Sequence, residues 1–560
     1  MRADRARRRV EDHEASMDPA RRRALAAHYT PERLARRLVR LALEHRGTDA
    51  PLLGGEASAP VVCDPSCGAG SILLAAAEAL VESGLSPRRV LEEHLVGFDI
   101  DPAALVSARE ALLEWGRARG VDPAPRLRLA AADALAVPAV EGVFDVVVGN
   151  PPFSSPLSAK VQRPEGAPVG AYVDLAAVHL LAAVRATPPG GIVCMLQPQS
   201  VLAARDSATL RRELDDLATL DALWGSDEEF FDGASVRVCA PLLRRREEPP
   251  PGTAAARQRV VAAPGAAARG RVGAMWRNEP PRALDDPGPE AWASLLAAMS
   301  GVPLVQDRGR VARVCEVARC TAGFRDEFYA LAPLAREAEQ VLRGLVVPSE
   351  GDREVPLVSS GMIDPGVLRW GTGAWRMAGV RWRSPVVPAE ELARRSPRVA
   401  EWVERRRVPK VLVASQTKVI EAAVDRGGGF VPLTPVVSVE PRHGLAPEVL
   451  AAVLSAPSNS ALLWSRSAGT GRSSGSLRVG AAKLSELVFA MLERPEDPGF
   501  ENRACDLWGR LEELAAGRAA LRQWEELGSS LDELVGFPGD PAVVSWWVQR
   551  LPRRVCSRDI

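Results

Sequence analysis

The chain has 560 residues, more than one hydrophobic core normally serves, so we expect two or more domains. Its 71 lysine and arginine residues balance its 71 aspartate and glutamate residues, so no overall field marks it as the partner of a polyanion. The eight cysteines show neither the spacing of a zinc site nor the density of a disulfide framework. The charged N-terminus lacks a signal-peptide core, and no apolar run is long enough to cross a membrane. These features predict a soluble cytoplasmic protein with no metal site and no membrane partner.

The first part of the chain predicts an arm and then a helix. Residues 1–27 are rich in arginine and alanine, which is typical of a basic N-terminal arm. Leucines then recur at helical spacing after Thr30-Pro31. We expect Thr30 to be the N-cap of this helix and Pro31 to occupy its first position.

Polar residues close three successive predicted strands that alternate with helices. The first strand ends at Asp64 and enters a turn with Gly68 and Gly70, whose backbone can approach a ligand closely. The second strand ends at Asp99 and the third at Asp133. An acid that ends the second strand of a βαβ unit is placed to hold ribose hydroxyls. Because ligands bind at the carboxyl edge of such a sheet, we expect these acids to lie together.

A fourth strand is predicted over residues 143–148, and it stops abruptly at Asn150-Pro151-Pro152-Phe153. The prolines prevent further sheet pairing and hold an open loop. The amide oxygen of Asn150 and the carbonyl of Pro151 could accept both N–H bonds of an exocyclic amine, while Phe153 stacks on its ring. Alone, these residues equally favour a strand followed by a proline-rich turn. The three upstream strand ends favour the amine-binding interpretation.

The order Tyr29-Thr30-Pro31, Asp64–Gly70, Asp99, Asp133 and Asn150–Phe153 resembles a known family. It is similar to the S-adenosylmethionine-dependent methyltransferases that modify adenine N6 in DNA, specifically the γ class with TaqI-like domain order. The resemblance implies an α/β fold with a doubly wound, Rossmann-like methyltransferase sheet. A mixed α+β target-recognition domain and a helical C-terminal tail should follow it.

The resemblance also implies roles for individual residues. In the catalytic loop these are Asn150, Pro151 and Phe153, and Phe153 stands where tyrosine is commoner. The implied S-adenosylmethionine-binding residues are Thr30, Asp64, Pro65, Gly68, Gly70, Asp99, Ile100 and Asp133. Asp99 is preferred over Asp101 for the ribose because Asp99 ends the strand. For Asp101, helix N-capping and ligand contact are equally good explanations. Phe231 is the implied second aromatic residue beside a flipped-out base.

The expected domains are a catalytic domain at 28–246, a Pro/Ala/Gly-rich linker at 247–271, a recognition domain at 272–498 and a helical segment at 499–560. Arginine and tryptophan interleave in the third of these segments, which could bind phosphates and base edges of double-stranded DNA. The candidate DNA-binding residues are Phe231, Arg376, Arg381, Lys418 and Arg472. Read without the catalytic domain, the same pattern fits an ordinary α+β domain with solvated arginines.

The predicted function is therefore a site-specific adenine-N6 DNA methyltransferase, in a restriction-modification or phage-defence setting. The alternatives are the same chemistry on RNA or on a protein glutamine, or a DNA-binding protein that keeps the fold without catalysis. A separate nuclease or defence partner is compatible with the sequence. The DNA sequence recognised is not encoded in any motif.

Overall fold

The computed structural model describes residues 6–10, 30–46, 59–135, 144–153, 173–231, 236–247, 270–305, 311–323, 325–338, 354–471, 475–491 and 499–557. The chain divides into two compact units, Met1–Met299 and Ser300–Ile560. Within the described ranges, every helix is too short or too polar to cross a bilayer.

One large mixed sheet of ten strands organises the first unit. Its strands are β1 (Val62–Asp64), β2 (Leu95–Asp99), β3 (Arg128–Ala131), β4 (Val146–Gly149), β5 (Ile192–Met195), β6 (Gln197–Pro198), β7 (Ala218–Gly225), β8 (Val238–Arg245), β9 (Arg271–Trp276) and β10 (Arg282–Asp285). The order is β10-β9-β7-β8-β5-β4-β1-β2-β3, and β6 pairs with β8. Strands β1 to β5 are parallel, so their carboxyl ends share one edge. Strand β8 is antiparallel to β5 and β7.

Helices alternate with the strands of this sheet, as the α/β prediction requires. They are α1 (Glu32–His45), α2 (Ser71–Glu82), α3 (Pro102–Arg117), α4 (Leu175–Ala186), α5 (Ala208–Leu217) and α6 (Trp292–Met299). A shorter helical stretch, Pro87–Arg89 followed by a π-helical turn at Val90–His94, precedes β2. The α/β class with a large mixed sheet is confirmed.

The centre of the sheet is apolar on both faces. All four residues of β4 are buried, as expected for a strand inside a parallel sheet with covered faces. Helix α1 buries Leu34, Leu38 and Leu41, the leucines whose spacing predicts it. Burial of such side chains contributes roughly 1.5–3 kcal/mol each, so the sheet edge that carries the polar residues rests on a rigid support.

The first unit is longer than the predicted catalytic domain. Strand β9 pairs in parallel with β7, and β10 pairs with β9, so both belong to the large sheet. Helix α6 also lies before the end of this unit at Met299. The two compact units therefore divide at 299/300, later in the chain than residue 272, where the sequence predicts the start of a recognition domain. Most of the predicted linker, 248–269, lies outside the described residues.

The second unit is built from small sheets rather than one large one. Its strands are β11 (Val311–Arg313), β12 (Ala318–Ala322), β13 (Arg336–Glu337), β14 (Glu354–Val358), β15 (Ile363–Asp364), β16 (Val367–Leu368), β17 (Trp375–Met377), β18 (Val380–Trp382), β19 (Pro385–Pro388), β20 (Lys410–Val413), β21 (Gln416–Thr417), β22 (Ala422–Asp425), β23 (Val431–Pro432), β24 (Val437–Pro441), β25 (Leu477–Arg478) and β26 (Val488–Met491). Two four-stranded sheets, β12-β24-β20-β22 and β13-β19-β14-β23, form its centre.

Helices complete the second unit. They are α7 (Arg325–Leu331), α8 (Ala389–Arg395), α9 (Pro397–Glu404), α10 (Pro447–Ser455), α11 (Pro457–Ser467), α12 (Ala481–Ser485), α13 (Phe500–Gly517), α14 (Leu521–Leu534) and α15 (Pro541–Val548). Helices α13, α14 and α15 lie within residues 499–560, the segment that is predicted to be helical.

Candidate active site

The carboxyl edge of the parallel strands brings the predicted acids together. Asp64, at the end of β1, is 1% exposed and accepts a hydrogen bond from the Ser66 backbone N–H at 3.0 Å. Burial raises the pKa of Asp64 to about 8, and the negative charge of Asp99 adds to this effect. A Cβ placed on Gly149 would lie 3.2 Å from Asp64 Oδ1, so glycine lets the end of β4 lie against the acid.

Asp99 connects two loops at this edge. Its Oδ2 accepts the backbone N–H of Gly68 at 2.8 Å, and its Oδ1 accepts that of Asp101 at 2.8 Å. Burial is the main cause of the upward shift in the pKa of Asp99, which these backbone donors oppose. The carboxylate at the end of β2 therefore fixes the glycine turn that follows β1.

The glycine turn needs both of its glycines, for different reasons. Gly70 has a φ of +94°, and a Cβ there would lie 3.2 Å from the Ala108 Cβ on α3. Gly68 has a φ of +52°, and a Cβ there would meet nothing within 4 Å. Gly70 thus permits close helix packing, whereas Gly68 borders open space in which a ligand could approach the backbone.

An exposed apolar side chain lies directly beside the acids. Ile100 follows Asp99 and is 58% exposed, although it is a large aliphatic residue. Next to it, Asp101 caps α3, because its Oδ1 accepts the Ala103 N–H at 3.0 Å. Asp101 is therefore the N-cap of α3. Asp99 and Ile100 together present one carboxylate and one exposed aliphatic side chain at this edge.

Asp133 lies two residues beyond the end of β3 and is exposed. Its Oδ1 accepts the Leu135 N–H at 2.9 Å, which stabilises a turn. Below this turn an apolar cavity is lined in part by Pro65, Phe98 and His179. Burial lowers the pKa of His179 to about 4, so this side chain is neutral at physiological pH.

The Asn150 side chain is oriented by a residue 120 positions away in sequence. Its Nδ2 donates a hydrogen bond to Thr30 Oγ1 at 2.9 Å. Thr30 is not the N-cap of α1, because the helix begins at Glu32 with Pro31 as its cap residue. The predicted roles of Thr30 and Pro31 at the helix start are thus wrong, since the threonine hydroxyl is used by Asn150. The Thr30 carbonyl in turn accepts the Ser71 hydroxyl at 2.8 Å.

Two phenylalanine rings meet beside this asparagine loop. Phe153 and Phe231 have ring centroids 5.7 Å apart and an interplanar angle of 77°, an edge-to-face pair. Phe231 is buried and lies in the segment after β7, several residues before β8 begins. The structure thus places the predicted second aromatic residue against the first.

Residues 20–261 match the profile of a family described as N-6 DNA Methylase. Over this range, which is less than half of the chain, the sequence is similar to the N-6 DNA methylase family. The matched range contains Thr30, Asp64, Asp99, Asn150 and Phe231. A comparison with curated proteins found no match.

Solved structures of restriction-modification proteins align with this chain, and one of them, with a TM-score of 0.61, shares its fold. The type IIL restriction-modification enzyme MmeI, in complex with DNA, aligns with 97% of this chain and 81% of its own, at 14% identity and a TM-score of 0.61. The type IIG restriction endonuclease BpuSI aligns with 94% of this chain and 66% of its own, at 11% identity and a TM-score of 0.36. The M protein of the type I enzyme EcoKI aligns with 47% and 50%, at 18% identity and a TM-score of 0.32.

The other predicted DNA-binding residues lie in the second unit. Arg376 and Arg381 are exposed and face each other across the β17–β18 hairpin, and Lys418 is exposed after β21. Arg472 lies outside the described residues. Among the described residues, no group of three or more His, Cys, Asp or Glu side chains has metal-binding geometry.

Two residues of the methylase segment and its neighbouring hairpin were not predicted from sequence. Gln199 is buried and donates hydrogen bonds to two backbone carbonyls beside the Phe231 segment. Arg277 pairs with Asp227 in the same segment. An isolated glutamine and one arginine among many carry no motif, so only the tertiary contacts mark them.

Proposed function

We propose that this protein is a site-specific DNA methyltransferase that methylates N6 of an adenine flipped out of double-stranded DNA. The observation that carries the proposal is the Asn150 amide at the end of β4, oriented by Thr30 and adjoining the acidic edge formed by Asp64 and Asp99. The N-6 DNA methylase family of residues 20–261 supports the same reaction. A cytoplasmic location, as predicted from the sequence, is part of this proposal.

The residues present fit S-adenosylmethionine, which supplies an activated methyl group when bound. Asp99 would accept hydrogen bonds from the ribose hydroxyls, and Ile100 would cover one face of the adenine ring. The open side of Gly68 leaves the turn accessible to the methionine portion, with Asp64 close by. Asp133 would accept a hydrogen bond from the amino group of the cofactor adenine. The cavity next to Pro65 would supply apolar walls around the cofactor.

The raised pKa of Asp64 makes cofactor affinity depend on pH. Asp64 holds a proton below about pH 8, and a nearby cationic group favours the ionised form instead. The amino group of the cofactor is such a cation, so binding should release a proton and tighten as the pH rises from 6 to 8. Affinity should level off above about pH 8, where Asp64 is already ionised.

Calorimetric titrations in buffers of different ionisation enthalpy would count the proton released at pH 6.5. Asp64→Asn should abolish the share contributed by this residue, leaving only the titration of the cofactor itself. Equal proton release by both proteins would contradict the role given to Asp64.

The chain's own residues account for activation of the substrate amine. The adenine N6 lone pair is delocalised into the ring and is a weak nucleophile. Asn150 Oδ1 and the Pro151 carbonyl would accept its two hydrogens, draw them out of the ring plane and direct the lone pair outward. This mechanism relies on positioning and electrostatics rather than on a strong base. The methylated nitrogen loses its proton to solvent afterwards.

A duplex buries N6 within the base stack, so the adenine must leave the helix. Phe153 and Phe231 provide rings that would replace the lost stacking. In the structure the two rings are in edge-to-face contact with each other.

The β17–β18 hairpin carries two candidate DNA-binding residues of the second unit. Arg376 and Arg381 are cross-strand neighbours, which is unfavourable for like charges without a counterion. Neither forms an ion pair with any residue in the ranges the structure describes. Both indole N–H groups of the hairpin already donate to backbone carbonyls close by in the chain. Trp375 Nε1 donates to Arg369 O at 3.3 Å, and Trp382 Nε1 donates to Met377 O at 3.2 Å. The arginines rather than the tryptophans are therefore proposed to contact DNA, through phosphates.

Replacing both arginines by glutamine should weaken DNA binding without changing the sequence methylated. Because each phosphate contact releases about 0.9 counterion, the slope of log Kd against log salt should fall by about two. Arg405→Gln is the matched control, since Arg405 is an exposed arginine paired with Glu401 at 3.0 Å. An unchanged salt slope, or a new methylated sequence, would exclude a phosphate-binding role for the hairpin.

A methylation assay tests the function as a whole. Purified protein, S-adenosylmethionine and DNA of random sequence should yield N6-methyladenine at one sequence motif, mapped by modification-sensitive sequencing. Asn150→Ala protein serves as the control for contaminating activities. Methylation of RNA or of protein glutamine, with none on DNA, would establish the alternative substrate class. We further propose a restriction-modification setting, and a partner nuclease would be sought by co-purification.

A further inference from the structure

One buried amide ties together both flanks of the segment that carries Phe231. Residues 226–231, called here the aromatic loop, follow β7 directly. Gln199 is 4% exposed, and its Nε2 donates to Ser226 O at 2.8 Å and to Val238 O at 3.2 Å. Ser226 begins the aromatic loop and Val238 begins β8. A single side chain thus bridges the two ends of the connection that contains Phe231, just beyond the last β7–β8 residue pair.

The β9–β10 hairpin provides a second tie through Arg277. Nε and Nη2 of Arg277 donate to the two carboxylate oxygens of Asp227, at 2.6 and 2.7 Å. This two-point geometry fixes direction as well as distance. The Arg277 backbone N–H donates to Gly225 O at 2.8 Å, and its carbonyl accepts Trp224 Nε1–H at 2.8 Å. One residue therefore joins the end of β7 to the aromatic loop.

Helix α1 holds the loop from another element. Arg33 forms an ion pair with Glu228 at 2.9 Å, and its guanidinium lies 5.0 Å from the centroid of the Phe230 ring. The Phe230 ring packs against Trp224 with centroids 6.0 Å apart. The acids at 227 and 228 are thus paired with arginines from separate parts of the unit, and the loop has little freedom to shift.

We propose that Arg277 and Gln199 are positioning residues for methyl transfer, which hold Phe231 opposite Phe153 where the flipped adenine is gripped. This inference rests on the proposed function. A half-exposed ion pair contributes little to overall stability, whereas a small displacement of a group that orients substrate slows a reaction strongly. The contacts of Arg277 therefore matter for the reaction more than for the fold. They also explain why the β9–β10 hairpin belongs to the catalytic unit.

Arg277→Gln and Asp227→Asn should each slow single-turnover methylation of a paired target adenine about tenfold. The affinity for S-adenosylmethionine should stay unchanged, because Arg277 and Asp227 lie at the aromatic loop and not at the strand ends proposed to bind the cofactor. Together the two substitutions should be no slower than either alone, since both remove the same contact. Arg277→Lys, which keeps the charge but not the two-point geometry, should recover part of the rate.

The decisive comparison uses a Phe231→Ala protein as the background. If Arg277 acts through Phe231, Arg277→Gln should cause no further loss there. Arg271→Gln is the matched control, an exposed arginine on the same hairpin whose partner is Asp285 at 3.9 Å, and it should leave the rate unchanged. Arg277→Gln is preferred to a Gln199 substitution as the main test, because Arg277 is 49% exposed and folding should survive.

An equal slowing by Arg277→Gln in the wild-type and Phe231→Ala backgrounds would overturn the inference, as would a rate equal to that of the Arg271→Gln control. Such results leave the proposed function intact, because the wild-type protein would still methylate DNA. A wild-type protein that never methylates adenine overturns the proposed function and this inference together.

Discussion

Asn150→Ala is expected to slow methyl transfer about 100-fold or more while leaving the affinity for S-adenosylmethionine unchanged. The substitution removes an acceptor aimed at the substrate amine, and this loss is felt mainly in the transition state. The proposed cofactor contacts lie on the earlier strand ends, at Asp64 and Asp99, and the substitution leaves them untouched. Single-turnover methylation under saturating DNA and cofactor measures the effect.

Two matched variants separate orientation from acceptance at this position. Asn150→Asp keeps an acceptor oxygen and should retain more activity than Asn150→Ala. Thr30→Val removes the hydroxyl that accepts the Asn150 Nδ2 hydrogen and should give an intermediate rate. Full activity of Asn150→Ala, or no effect of Thr30→Val, would refute the assigned roles.

Phe153→Ala provides a contrasting defect in the same experiment. Loss of base stacking costs about 1–3 kcal/mol and should lower DNA affinity as well as rate. A mismatched target adenine is easier to flip, so it should partly rescue Phe153→Ala but not Asn150→Ala. Equal rescue of both variants would show that the two residues act on the same step.

Asp99→Ala should weaken S-adenosylmethionine binding by at least about 100-fold, because two hydrogen bonds to a charged group contribute about 1.5–3 kcal/mol each. Part of this loss would come from the glycine turn, since Asp99 also accepts the Gly68 and Asp101 N–H groups. Equilibrium titration with the cofactor, in the presence and absence of DNA, measures the change.

The neighbouring acid supplies the control for this prediction. Asp101→Asn keeps an oxygen to cap α3 and should leave cofactor affinity at the wild-type value. Comparable weakening by Asp99→Ala and Asp101→Asn would mean that the loop as a whole, rather than the Asp99 carboxylate, governs binding.

The acidic residues at the sheet edge could be predicted from sequence, because the prediction needs only the strand and the residues that directly follow it. A strand that ends in a polar residue before each helix places that residue at the carboxyl edge of a parallel sheet, and β1, β2 and β4 follow this rule. The N-cap role of Asp101 could be anticipated for the same reason. Each of these inferences needs only residues close together in the chain.

Contacts between distant segments could not be predicted in this way. Thr30 has the sequence signature of an N-cap, yet its hydroxyl accepts a hydrogen bond from Asn150, 120 residues away. Strand β9 follows a stretch with the composition of a linker, and nothing local identifies β7 as its partner. The tryptophans of the β17–β18 hairpin resemble binding residues in sequence, but their indoles donate to nearby carbonyls.

The pairing of β9 with β7 also decides where this protein can be divided. Without β9, the backbone N–H and C=O groups along one side of β7 would have no partners, and an open apolar edge invites pairing with another molecule. A fragment ending at residue 246 should therefore self-associate, whereas one ending at Met299 keeps that edge covered. An exchange of C-terminal segments between relatives would disturb the same β7–β9 pairing if the crossover lay before β9. Crossovers that give well-folded proteins should therefore fall after Met299.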